Sequence, residues 1–386
     1  MKKIGIITIV KVNNYGAELQ AFALQKKLES KGFHAEIIDY LYYKNWRYKD
    51  TKESRPFIPL SLKDRILYWV KYRAVNFLIE KVFTVFNGNI RRRLERFSSF
   101  HKEYSRFSKE FRSYPALYRE RMNYDVYMVG SDQVWNPSAS SSIEPYFLTF
   151  APKSSKKISY ASSFGVSFIE EGLQDRFSGL LNNIDEISVR EESGVQLVKQ
   201  LTGRDAALVV DPTLLLTSAE WIEYEKLYPN MPERYMLIYQ LSESEVIIDL
   251  AKSISEKRKI PVFRVCKKAF YENQYPGVQN ILDAGPSEFL WLIHNAECII
   301  TNSFHGTAFS VNYHKPFFTV LSNKKKNNVR MESLLRALKL QNRLIYEESY
   351  NFDDIELNVN NIFTNEVDNR LNELRESSLN FLINNI

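Results

Sequence analysis

Cysteine occurs only twice in the 386 residues, at Cys266 and Cys298. Two are too few for a disulfide framework. Both fall in apolar, strand-like runs, which predicts buried thiols in a reducing, cytoplasmic compartment. The sequence has no run of about 18 apolar residues, so no spanning helix is expected. It has no HxxxH or CxxC spacing, so no metal is expected. It has no tandem repeat and no low-complexity tract. The opening, MKKIGIITIVKVNNYG, has a short basic start but lacks a small-residue cleavage site, and its apolar part alternates. It therefore reads as a first strand rather than a leader peptide. What is present is an ordinary globular balance of 44% hydrophobic and 25% charged residues. Single cores stop growing near ~250–300 residues, so the length suits two.

The net charge of +6 is unevenly spread. Residues 44–121 hold 20 Lys/Arg against 8 Asp/Glu, a surplus of 12. The rest of the chain is therefore acidic by 6. In that segment the basic residues, among them Arg91, Arg92 and Arg93, alternate with aromatics such as Trp46, Tyr68, Trp69, Phe77 and Phe86. Two stretches, SLKDRILYWVKYRAVNFLIEKVF and NIRRRLERFSSFHKEYSRF, have helical periodicity. Basic amphipathic helices with aromatic faces lie in membrane interfaces. No nucleic-acid-binding motif accompanies the charge, so nucleic acid is not an expected partner. The competing expectation is a solvated helical insertion that packs on the first domain.

Around this insertion strands and helices alternate. KIGIITIV, then AELQAFALQKKLESKG, then HAEIIDY make a βαβ opening, which implies a parallel sheet with a right-handed crossover. The rhythm resumes with strands in YDVYMVG, KKISYASS, EISVRE and ALVVDP. YPNMPE reads as a linker, after which YMLIYQ, PVFRVC, ECIIT and KPFFTVL alternate with helices. The expected fold is α/β, with two doubly wound Rossmann-like domains facing across a cleft. Residues 1–228 form the first, with the helical insertion at 44–121; residues 229–364 form the second; residues 365–386 form a final amphipathic helix. In such sheets ligands bind outside the carboxyl ends of strands at the topological switch point.

Five junctions carry candidate chemistry. In CIITNSFHGTAFS a buried strand turns through Asn302 and Ser303 into a helix with His305, Gly306 and Thr307 in its first turn. Backbone N–H groups at such a junction suit an anion, and a histidine there can serve as acid, base or phosphate partner; the alternative is a capping turn around a satisfied histidine. His34, His101, His294 and His314 read as packing or surface residues. In EISVREESG, Arg190 follows a strand, where it either binds a carboxylate or phosphate or pairs with Glu191 or Glu192. MVGSDQVWNP groups Ser131, Asp132, Gln133 and Asn136 around Trp135, whose flat face suits a sugar. In the first loop, Asn14 and Gly16 sit where a βα loop touches a ligand. DPTLLL adds Asp211 at a strand end, either capping a turn or orienting another group.

In this order, NNYGAELQAFAL, VGSDQVWN, ISVRE, VVDPTLLL and GPSEFLWLIHNAECIITNSFHGTAFSVNYHKPFF resemble the polysaccharide pyruvyl transferase family. The resemblance covers nearly all the chain outside 44–121. It implies a GT-B-like fold and transfer of a pyruvyl group from phosphoenolpyruvate onto two sugar hydroxyls, giving a cyclic ketal in cell-surface polysaccharide. It implies catalytic roles for His305 and Arg190, a donor site of Arg190, Ser303, His305, Gly306 and Thr307, and no cofactor beyond the donor. The acceptor, a glycan or lipid-linked sugar, is expected at Asn14, Gly16, Ser131, Asp132, Gln133 and Trp135. Such a protein is expected in the cytoplasm, peripheral on the inner face of the plasma membrane. One departure stands out: many members have arginine two residues before the histidine, and here that position is Ser303. The segment Lys324–Arg330 is a source of replacement charge. Two other readings compete. One is a GT-B-like glycosyltransferase using a nucleotide-sugar, for which Glu288 is the candidate ribose-binding acid. The other is a non-catalytic glycan-binding relative, for which Ser303 is the warning.

Overall fold

The computed structural model describes residues 1–266, 274–323, 328–349 and 362–386. The chain divides into two compact units, each with its own parallel sheet. The first comprises Met1–Phe83, His101–Leu215 and Leu374–Ile386. The second comprises Thr84–Phe100 and Leu216–Glu373. The 44–121 segment is thus shared, with its middle grouped with the second unit, and the final helix ends in the first.

In the first unit β1 (Lys3–Ile7) lies parallel between β2 (His34–Ile37) and β3 (Val126–Val129), and β3 pairs with β4 (Lys156–Ser159). A short pair, β5 (Ser188–Val189) and β6 (Ala207–Leu208), extends the winding through bridges from Ile158 to Glu186 and from Ser162 to Val189. ALVVDP yields only the two residues of β6, because Pro212 opens a short helix, Pro212–Leu215, immediately downstream. The order β2–β1–β3–β4 reverses direction between β1 and β3, which makes that edge the switch point. The apolar runs of β1 and β3 are buried on both faces, as a parallel sheet covered by helices requires. One covering helix, Tyr15–Ser30, is buried along most of its length, so its apolar stripe is broad and its amphipathicity slight.

The second unit has the order β12–β11–β10–β7–β8–β9, all parallel. Here β7 is Met236–Tyr239, β8 Val262–Val265, β9 Val278–Ile281, β10 Cys298–Thr301, β11 Phe317–Leu321 and β12 Leu344–Tyr346. Its switch point lies between β7 and β10. Sequence reading finds β7, β8, β10 and β11 from their apolar runs. It misses β9 and β12, edge strands that are only partly buried. Ile238, Ile300 and Val320 share a core with Ile247, Leu250, Ala251 and Ile254 from the helix Glu245–Arg258. Neither cysteine is in a disulfide and both are buried, and burial pushes the Cys298 thiol up to about 12.

Both helical stretches expected in the insertion form. A continuous helical run from Leu62 to Phe86 contains two π-helical segments, Val70–Val75 and Ile79–Phe83. The next helix spans Gly88–Tyr104. The arginine triplet does not form a free basic face. Arg92 donates to Asp283 at 2.6 Å, and buried Arg93 donates to the Cys266 carbonyl at 2.7 Å, both within the second unit. No described helix is long and apolar enough to cross a membrane.

Candidate functional site

At the first unit's switch point, the loops that follow β1 and β3 are tied together. Thr8 Oγ1 donates to the Ser131 carbonyl at 2.8 Å, and Gln20 Nε2 donates to Thr8 Oγ1 at 3.0 Å. Gly130 permits this approach, since a Cβ there would lie 3.1 Å from that of Thr8. The loop after β1 is shaped from inside by Glu18, whose carboxylate accepts the N–H groups of Lys11 and Val12 and bonds His101 Nε2 at 2.8 Å. Asn14 caps the helix Tyr15–Ser30 by accepting from the Ala17 N–H, and Gly16 is buried in its first turn. Asp132 adopts a left-handed backbone, φ 76°, rare for a residue with a Cβ and found preferentially at functional loops.

Behind this loop stands Arg190, whose side chain has no exposed surface. Its Nη1 donates to Asp211 Oδ2 at 2.7 Å and to Ser131 Oγ at 3.3 Å, and its Nη2 donates to Asp132 Oδ1 at 3.3 Å. Glu191 lies 3.8 Å from Nε. Burial alone would lower the guanidinium pKa, but Asp211, Asp132 and Glu191 override it and hold it above its ordinary value. Asp211 also accepts from Ser131 Oγ and from both the N–H and hydroxyl of Thr213. In this conformation the cation is spent on three carboxylates and presents no surface to an incoming anion. Its geometry is that of a positioning residue, which holds Asp132 and the loop after β3.

Trp135 does not offer a face to a sugar. It is fully buried, stacked on Phe147 with ring centres 5.2 Å apart, covered by Phe164, and donates from Nε1 to the Tyr146 carbonyl. An aromatic large enough to stack on a ligand is equally suited to core packing, and the core holds it. Of the expected acceptor residues, Asn14, Asp132 and Gln133 keep partly exposed surface, whereas Gly16, Ser131 and Trp135 are buried.

At the second unit's switch point, Asn302 bridges the two loops. Its Oδ1 accepts from the Leu241 N–H at 2.8 Å, and its Nδ2 donates to Ser242. Ser303 caps the helix Phe304–Asn312, accepting from the Gly306 N–H. Gly306 lets the helix press on β10, for a Cβ there would fall 2.3 Å from Thr301 Oγ1. The close approach is to the strand, not to a ligand. Thr307 is turned inward as well, its hydroxyl donating to the Ser303 carbonyl and bonding the Thr319 hydroxyl at 2.8 Å. His305 lies in the first helical turn and is 8% exposed. The other four histidines have partners in Arg106, Glu18, Glu225 and Asp368, as expected of packing or surface residues.

Two further residues at this junction come from the structure. Arg330 places its guanidinium carbon 5.7 Å from the centre of the Phe304 ring, beside His305 in sequence. It belongs to the segment named as a source of replacement charge; Lys324, Lys325 and Lys326 lie outside the described residues. Gln240, the first residue beyond β7, is 6% exposed, yet neither its amide oxygen nor its nitrogen has a hydrogen-bond partner among the described residues. A buried unsatisfied amide calls for a cause. A polar residue closing an apolar strand run at a switch point was the available signal. Glu288, by contrast, accepts from the Gly285 N–H and pairs with Arg96, so it serves the start of the helix Pro286–Asn295. Among the described residues, no cluster of His, Cys, Asp and Glu could hold a metal ion.

The sequence profile of the polysaccharide pyruvyl transferases matches residues 14–325. The chain belongs to this family. The match runs through both switch-point loops, from the cap at Asn14 to the β10 junction and beyond β11. No curated protein matches the sequence. Among solved structures, UDP-GlcNAc 2-epimerase from Neisseria meningitidis aligns at a TM-score of 0.46 with 10% identity, covering 100% of both chains. UGT89C1 from Arabidopsis thaliana aligns at 0.44 with 12% identity, covering 98% of this chain and 94% of that one. The heptosyltransferase WaaC from E. coli aligns at 0.39 with 11% identity, covering 83% and 89%. The reading of two Rossmann-like units stands on the strand orders themselves.

Proposed function

We propose that this family member transfers a pyruvyl group from phosphoenolpyruvate onto two hydroxyls of a sugar, forming a cyclic ketal in cell-surface polysaccharide. The observation that carries the reading is the family match through the β10 junction, where His305 stands in a first helical turn with Arg330 nearby. The donor bears a carboxylate and a phosphate, which suit a helix N-terminus and a guanidinium. Arg330 would supply the charge that Ser303 does not, and Ser303 would hold the turn.

Protonation of the donor's methylene carbon leaves an oxocarbenium-like centre at the adjacent carbon. One sugar hydroxyl adds there and loses its proton. The second hydroxyl then displaces phosphate and closes the ketal. Of the two hydroxyl protons, one replaces the proton placed on carbon and the other leaves with phosphate, so the sum is balanced. Both steps need a proton carrier that works near neutral pH, the role we assign to His305. Arg190 would act indirectly, holding Asp132 and its loop for the acceptor. Ser131 and Trp135 would support that loop, with Asn14, Asp132 and Gln133 nearer the sugar. No cofactor beyond the donor is called for. A sugar carried on a lipid at the inner face of the plasma membrane would suit a cytoplasmic enzyme in peripheral contact through residues 44–121.

The test is phosphate release from phosphoenolpyruvate with a panel of soluble and lipid-linked sugar acceptors. Acceptor-dependent release with a ketal product is the expected result. A product from nucleotide-sugars, with phosphoenolpyruvate untouched, would replace this reading with glycosyl transfer.

A further inference from the structure

The helical run Leu62–Phe83 lies on the surface. No side chain in it is buried. Four of its polar side chains bond back to the protein, whereas Lys63, Asp64, Arg65, Lys71 and Lys81 are exposed. Tyr68 donates its hydroxyl hydrogen to the Tyr43 carbonyl at 3.1 Å, and Arg73 donates to the carbonyls of Tyr43 and Asn45 at 2.8 and 2.9 Å. Asn76 donates to the Lys44 carbonyl at 3.0 Å, and Glu80 accepts from Trp46 Nε1 at 2.6 Å. Several of its apolar side chains are uncovered. Leu62 is 73% exposed, Trp69 59% and Ile66 56%, and their spacing sets them in one ridge; Leu67, 55% exposed, stands about 160° away from Trp69, and Phe77 turns its ring against Trp46. Isolated exposed apolar residues need no explanation, but a ridge of three large ones does.

A cavity of about 1100 Å³ opens beside the first helix of this run. Leu60, Ile66 and Trp69 line it together with Lys52, Arg55 and Arg65. Residues 44–83 hold 10 Lys/Arg against 4 Asp/Glu, so the ridge rises from a basic surface. An apolar ridge flanked by cations is complementary to an anionic bilayer. The tails take the side chains, and the phosphates take the charge. A second copy of a chain this basic would instead bring like charge against like.

We propose that Leu62–Phe83 is a membrane-docking element. Its apolar ridge enters the interface of an anionic bilayer, and the cavity behind Ile66 and Trp69 receives a lipid phosphate at Arg55 and Arg65. This sharpens the peripheral contact in the proposed function, reducing 44–121 to one face of one helical run and removing Arg92 and Arg93 from it.

The experiment is flotation of the full chain with vesicles of phosphatidylcholine, alone or with about one third phosphatidylglycerol, at low and high salt. The expected result is binding to the anionic vesicles that weakens with salt. Arg55→Glu with Arg65→Glu should weaken it at least about 25-fold, since each charge near such a surface is worth about fivefold. Ile66→Glu with Trp69→Glu should abolish binding even at low salt. All four side chains are exposed, and an unchanged thermal transition confirms that the variants fold. Absence of binding to either vesicle overturns the proposal. So does a dimer in sedimentation that the Ile66/Trp69 variant dissociates while vesicle binding persists. Vesicle binding without turnover on any acceptor would sink the pyruvyl-transfer reading alone, and turnover without vesicle binding would sink this one alone.

Discussion

Replacing Asp211 tests whether the buried arginine is architecture. Asp211 is 1% exposed and accepts four hydrogen bonds, from Arg190, Ser131 and the N–H and hydroxyl of Thr213. Asp211→Ala removes all four acceptor contacts. Breaking a buried ion pair from one side costs about 3–5 kcal/mol, because the remaining charge stays out of water. Arg190 keeps Asp132 and Glu191, which pulls the expected loss to the lower end, about 3 kcal/mol. The stranded hydroxyls add about 1 kcal/mol or more. With a urea dependence near 3 kcal/mol per molar, the transition should fall by about 1 M. Arg190→Met should also destabilise, leaving three carboxylates without their cation. The Arg190→Met, Asp211→Ala double variant should lose at least about 1 kcal/mol less than the sum of the singles, because the two residues share one network. Urea melts followed by tryptophan fluorescence supply every corner of the cycle. Additive losses, or a loss below about 1 kcal/mol for Asp211→Ala, would refute the network. An Arg190→Met protein of unchanged stability but raised phosphoenolpyruvate KM would make Arg190 a direct donor contact.

Four further outcomes are expected. His305→Ala should lower kcat by about 10²–10⁴-fold with the thermal transition unchanged; a rate above half that of the wild type would remove it from proton transfer. Arg330→Ala should raise the KM for phosphoenolpyruvate by about 10-fold or more, leaving the acceptor KM alone, since losing a charge-assisted bond costs ~1.5–3 kcal/mol; a change confined to the acceptor would reverse the assignment. Gln240→Leu should stabilise the ligand-free protein by about 1 kcal/mol or more, because it removes a buried amide with no partner among the described residues, and should weaken whatever ligand the amide meets; a destabilised variant would show that the amide is satisfied. Burial raises the Asp283 pKa, but bonds from Arg92 and Tyr228 and the charge of Arg96 outweigh it and lower it overall. The stabilisation from that ionised group is therefore full above the unfolded carboxylate value near 4 and is lost as pH falls through the folded value. Acid unfolding of Asp283→Asn should be flatter below about pH 4 than that of the wild type, and identical profiles would dismiss the linkage.

In the second unit the chain advertises its central strands and conceals its edges. β1, β3, β7 and β10 are buried on both faces and leave unbroken apolar runs that one sequence suffices to read. β9 and β12, half-covered, leave mixed patterns without a clear period. Switch-point loops are visible as polar clusters, but the role of each side chain is not. Trp135, Arg190 and Thr307 have the chemistry of ligand contacts and the burial of core residues, and residue type cannot separate the two. Arg92 and Arg93 show the same limit for charge, since adjacent helical positions point about 100° apart and their acceptors, at Asp283 and Cys266, are nearly two hundred residues away.

The last residues of the sequence finish the unit that the first residues begin. Lys2 reaches the Ile386 carbonyl, Ser378 Oγ accepts from the Val210 N–H at 2.9 Å, and Arg375 donates to the Leu214 carbonyl at 2.8 Å. On the ribosome, the N-terminal half therefore cannot close until the whole second unit has been synthesised. A growing chain normally folds domain by domain as it emerges. Here β6 and the Pro212 turn must wait for a segment translated more than 160 residues later. A nascent chain stalled before Leu374 should remain sensitive to protease around Val210 even with its own sheet complete, and a nick just before Leu374 in the mature protein should loosen the first unit rather than the second.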